Sequence, residues 1–98
     1  MSLNEQERAR TAQELSAHAD ALGLTHEQIA QKAGLGADAV DGILSMASGD
    51  PVATWAVRDV LDAEARRRGV DAGGWSVLTD AARVQATRWF ALRDVASN

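Results

Sequence analysis

Apolar positions in the first half of the chain recur at three- and four-residue steps, the spacing that turns one face of a helix toward a core. Ala9, Ala12, Leu15, Ala19 and Leu22 form the first such stripe. Ser2 followed by Glu5 reads as a capping box at its start, and Gly23 marks its end. Thr25 with Gln28 is a second capping box, with Leu24 and Ile29 at the flanking hydrophobic-staple positions. The pattern therefore predicts a short helix running to Ala33 and closed by Gly34, then a third helix capped by Gly36 and reaching about Ala47. Ser48, Gly49, Asp50 and Pro51 stop that helix and start another, since Asp is a good N-cap and Pro suits the first helical position. Val52, Trp55, Ala56, Val60 and Ala63 line the inner face of this fourth helix, which ends after Arg68 at Gly69. Farther on, residues 70–74 read as a loop, and residues 75–78 (WSVL) as a short extended segment or an apolar plug. Thr79 or Asp80 caps a last helix with Ala82, Gln85, Ala86, Trp89 and Phe90 roughly on one side, and residues 93–98 are expected to fray.

Residues 26–45, HEQIAQKAGLGADAVDGILS, carry the most specific spacing in the chain. A small residue, Ala30, stands where two short helices would cross, and Gly34 stands four residues later where the turn needs positive φ. Ile29, Ala33, Leu35, Val40 and Ile43 fall on the inner faces in the same register. On these residues the stretch resembles the lambda-repressor-like, Cro-type helix-turn-helix proteins of bacteria. LTHEQIA (24–30) stands where that family usually has Thr-Gln-x-x-hydrophobic-Ala. The resemblance covers roughly residues 10–68. It implies a bundle of about five helices, with residues 36–45 forming the helix that enters the major groove. A wider likeness, carried by MSLNEQERARTAQEL and PVATWAVRDVL, runs to a family of small bacterial proteins of unknown function and brings no activity with it.

Composition narrows the picture. Ninety-eight residues suffice for one core, and 20 of the 45 hydrophobic residues are Ala, so large apolar side chains are few and the helices should approach closely. With no cysteine, disulfides and thiolate chemistry are excluded. No apolar run approaches the roughly 20 residues needed to span a bilayer, and the polar N-terminus does not look like a signal peptide. The expected location is cytoplasmic, without a membrane partner.

Charge opposes the motif. The net charge is −4, whereas duplex DNA is held mainly by Lys and Arg. Across residues 12–57 a single base, Lys32, faces six acids (Glu14, Asp20, Glu27, Asp38, Asp41 and Asp50). The base-facing positions correspond to Gly36, Ala37, Asp38, Asp41, Gly42 and Ser45. None is the Arg, Lys, Asn or Gln that reads guanine or adenine. Asp38 in the first turn suits the helix dipole without any base to read. His26, Gln28 and Lys32 stand where repressor-like domains touch phosphate, and they equally fit a solvated face. Arg66, Arg67 and Arg68, with Arg58 earlier on the same helix, make the dense basic patch of the chain. They can grip phosphate or an acidic partner. They can also stabilise a helix C-terminus by about 0.3–1 kcal/mol each, with Asp59, Asp62 and Glu64 near enough to pair. Trp55, Trp75, Trp89 and Phe90 are expected in the core, and Trp75 and Trp89 alternatively anchor self-association. Arg83, Arg88 and Arg93 do not share a helical face and read as solvated.

No metal-ligand spacing joins His18 and His26, and no nucleophile–base pattern or phosphate-cradling glycine loop occurs. An enzyme, a cofactor and a small-molecule substrate are not expected. The fold expected is all-α: a five-helix repressor-like bundle over residues 1–69, with residues 70–98 as an extension that packs on it or dimerises. Two functions fit. One is a homodimeric DNA-binding transcriptional regulator, with residues 36–45 in the groove and His26, Gln28, Lys32 and Arg58 on phosphates. The other is a protein-interaction module that keeps the scaffold without reading DNA, with the Asp38 and Asp41 face or the Trp-bearing tail as its contact surface.

Overall fold

The computed structural model describes residues 4–45 and 50–88, which form α1 (Glu5–Leu22), α2 (His26–Ala33), α3 (Ala37–Leu44), α4 (Pro51–Arg68) and α5 (Asp80–Ala86), with no strand among them. Ser2, Ala47, Ser48, Gly49, Trp89, Phe90 and residues 93–98 lie outside the described residues.

Local chemistry sets most of the boundaries. Asn4, not Ser2, caps α1, exchanging bonds with Glu7 (Glu7 N to Asn4 Oδ1, 2.8 Å; Asn4 N to Glu7 Oε1, 3.1 Å). Thr25 and Gln28 make the reciprocal box at the start of α2. Gly34 then ends α2 at φ 70°, where a Cβ is disfavoured, so the chain reverses in one residue. α3 ends at Leu44, short of the expected reach, with Ser45 as its C-cap; the Ser45 hydroxyl donates to the carbonyls of Asp41 (2.9 Å) and Gly42 (3.2 Å). Asp50 and Pro51 open α4 as expected, the carboxylate accepting from Val52 N at 3.0 Å.

α4 is the axis of the molecule. Residues 53–61 are all buried, including Thr54, Arg58 and Asp59. A single apolar stripe, as the sequence pattern suggested, would leave its far side in water. Instead α1, α2 and α3 pack closely on it, and the stretch after Gly69 returns to cover the remaining side. Leu15, Ile29, Val40, Ile43, Val57 and Leu61 form the centre of the core. Leu78, only 2% exposed, joins it from the extension as an apolar plug. Thr79 Oγ1 caps α5, accepting from Ala82 N at 3.0 Å. Ala86 is buried, whereas Gln85, expected on the same side, is exposed.

Candidate functional site

α2 and α3 are short, adjacent and closely packed, and their inner faces are the ones the spacing picked out. Ile29, Ala30, Ala33, Val40 and Ile43 are buried, and Leu35 is half-buried against the same core. Ala30 is 4% exposed, which leaves no room for a larger side chain. The other face of the pair is open. His26, Glu27, Gln28, Lys32, Gly36, Asp38, Asp41 and Ser45 are exposed, and Ala37 and Gly42 are half-buried. This outer face, with its uncovered α3, is the candidate contact surface.

Part of its charge is engaged locally. His26 Nδ1 meets Asp41 Oδ1, tying the first turn of α2 to α3. Gln28 spends its side-chain oxygen on the Thr25 cap. Lys32 Nζ lies 3.3 Å from Glu64 Oε1, which also draws Lys32 toward α4. Asp38 has the first-turn position that favours a carboxylate.

Arg58 is not on this surface. It is 3% exposed, so it cannot reach a phosphate there, and its guanidinium is held from several sides. Nε donates to Leu78 O at 3.0 Å, Nη1 to Asp59 Oδ1 at 3.1 Å and Nη2 to Asp80 Oδ1 at 2.6 Å. Asp62 Oδ2 stands 3.9 Å from Nη1, and the indoles of Trp55 and Trp75 lie 5.8 and 5.3 Å from the guanidinium carbon. A charge this deep persists because paired carboxylates and aromatic faces replace its water. Arg83, expected in solvent, donates instead to both oxygens of Asp59 at 3.1 and 2.9 Å.

The remaining basic residues of α4 are also occupied. Arg66 Nε pairs with Asp62 Oδ2 at 2.9 Å, and Arg67 Nη2 and Arg68 Nε share Glu64 Oε2 at 2.6 and 3.1 Å. Arg68 Nη1 also donates to Leu22 O at 2.8 Å, capping the last turn of α1. The hydrogen bond from Arg67 holds the Glu64 carboxyl below its ordinary range; burial opposes this, and Lys32 reinforces it. Arg58 does the same for Asp80 through its hydrogen bond.

Trp75 points inward. Its indole stacks on the buried His18 ring with centroids 3.9 Å apart and planes 11° from parallel, and Nε1 donates to Asp62 Oδ1 at 3.1 Å. His18 Nδ1 donates to the Glu14 carbonyl at 2.8 Å. The Glu14 carboxylate accepts from Ser76 N (3.0 Å) and Ser76 Oγ (2.8 Å). Sequence reasoning missed His18, Glu14 and Asp62 as partners of the extension. Only Asp62, four residues after Arg58, carried a local signal; the Glu14–Ser76 link spans 62 residues. Among the described residues, no helix is long and apolar enough to cross a membrane.

Residues 1–92 match a family model described as an uncharacterized protein conserved in bacteria (DUF2316). No curated protein and no solved structure matches the chain.

Proposed function

The chain belongs to the bacterial family DUF2316, and we propose that it is a protein-recognition module built on a helix-turn-helix scaffold, its contact surface being the outer face of α2 and α3. The observation that carries this reading is electrostatic. Between residues 12 and 57 Lys32 is the sole Lys or Arg, it pairs with Glu64, and the exposed face around it bears Glu27, Asp38 and Asp41. Were Lys32 to leave Glu64 for a phosphate, a dimer would neutralise two phosphates, giving a salt slope of only about −1.8. That is too little to hold an acidic surface on duplex DNA. A cationic protein segment suits the same face, since charge complementarity speeds encounter and rejects wrong partners.

A homodimeric DNA-binding regulator is the competing reading. It draws on the register of Thr25, Ala30, Gly34, Val40 and Ile43, which suits a helix-turn-helix presenting residues 36–45 to a groove.

The protein-recognition reading is tested by titrating the full-length chain with a ten-residue oligolysine probe and following backbone amide shifts. Shifts centred on Glu27, Asp38 and Asp41, and lost in the double variant Asp38→Asn with Asp41→Asn, are expected. Shifts spread evenly over all exposed carboxylates, unchanged in that variant, would remove the face from consideration.

A further inference from the structure

We propose that residues 75–86 form a strap that lifts off the bundle as a unit while α1 to α4 stay folded, with the Arg58 side chain as its catch. The strap leaves α4 through residues 70–74, a turn in which Gly73 takes φ 94° and Asp71 Oδ1 accepts from Gly73 N at 3.1 Å. The helices that pack closely on one another are α1 to α4; α5 adds Ala86 to the core and the loop before it adds Leu78.

The polar attachments of the strap run through side chains. On the α1 side they are Ser76 with Glu14, and Trp75 stacked on His18. On the α4 side they are Trp75 with Asp62, Leu78 O and Asp80 with Arg58, Asp80 with Arg66, and Arg83 with Asp59. Arg58 gathers two of these itself, and its contacts reach both the backbone and a side chain of the strap.

The charges left behind are not orphaned when the strap departs. Arg58 retains Asp59 at 3.1 Å and Asp62 at 3.9 Å, both on its own helix. Asp59 retains Arg58, Asp62 retains Arg66, and water reaches the rest. The usual barrier to opening a buried ion cluster, an uncompensated charge in the interior, is therefore lowered. What opens is the seam between α1 and α4, uncovering His18 and Arg58 and freeing the Trp75 indole.

Native-state hydrogen exchange on the full-length chain tests this. The amides of Ser76, Arg83 and Thr87, the last being the C-cap of α5, each have a hydrogen bond to lose, to Glu14, Thr79 and Arg83 respectively, since a seven-residue helix unwinds once it leaves the bundle. They are expected to exchange with one shared protection factor, lower than that of Val57 and Leu61 in α4. Asp80→Asn, at a carboxylate 72% exposed, should lower the shared factor by about tenfold and leave Val57 and Leu61 within about twofold. Glu14→Gln should lower it from the other side of the strap. Graded protection rising from Thr87 to Ser76 would indicate simple end fraying and overturn the proposal. So would equal shifts in α4 and the strap, or no response to either substitution.

Discussion

Arg58 shows how one side chain can be read in two ways until its surroundings are known. In the sequence it stands two turns before a run of arginines and is expected to hold phosphate. In the fold it is the hub joining α4 to the extension, because Asp80 and the Leu78 carbonyl close over it. Replacing it with Met leaves Asp59 buried with only Arg83 for a partner, and breaking a buried pair costs about 3–5 kcal/mol. Since Arg83 remains, Arg58→Met should lower urea-unfolding stability by about 3 kcal/mol, at the lower end of that range. Ala30 offers the opposite test, of packing. At 4% exposure, Ala30→Leu should destabilise by about 1–3 kcal/mol in thermal melts, and an unchanged melting temperature would mean the α2–α3 register is wrong. Ala30 was legible from spacing because its constraint is local to residues 26–45. The environment of Arg58 was not, since Leu78 and Asp80 lie 20 and 22 residues away.

Helices were legible where capping chemistry lies within four residues of the boundary. Thr25 with Gln28, Asp50 with Pro51, and the glycines after α1, α2 and α4 all act over that range. Two boundaries differed from expectation: Asn4 caps α1 through its box with Glu7, and α3 ends at Leu44 with Ser45 as its C-cap. Gly34→Ala tests the sharpest of these signals. Forcing a Cβ into φ 70° should cost about 1–2 kcal/mol in chemical denaturation. The encasement of α4 was not legible, because periodicity reports one buried face, whereas here the extension covers a second. That coverage depends on Leu78 and Trp75, whose loop has no periodicity to detect.

Across the molecule, the acidic balance of the sequence and its distribution in space agree: most of the arginines are placed against carboxylates of their own chain. This gives stability an acid limit. Glu64 and Asp80 ionise more readily in the folded state than their ordinary values of 4.5 and 3.8. Their contribution is therefore complete above pH 4.5 and lost as pH falls through the lowered folded values. A melting temperature that drops progressively below pH 4.5 is expected, with a smaller drop in Glu64→Gln. The all-α class and the inner face of α2 and α3 were readable from the sequence; the use of the outer face was not, because its meaning depends on which cations remain free. The most direct test is retention of a random-sequence duplex pool by the full-length chain at about 50 mM salt, repeated at about 200 mM. No retention at the lower salt is predicted. Recovery of an enriched palindrome, with affinity falling at the higher salt, would contradict the protein-recognition account and return α3 to the major groove.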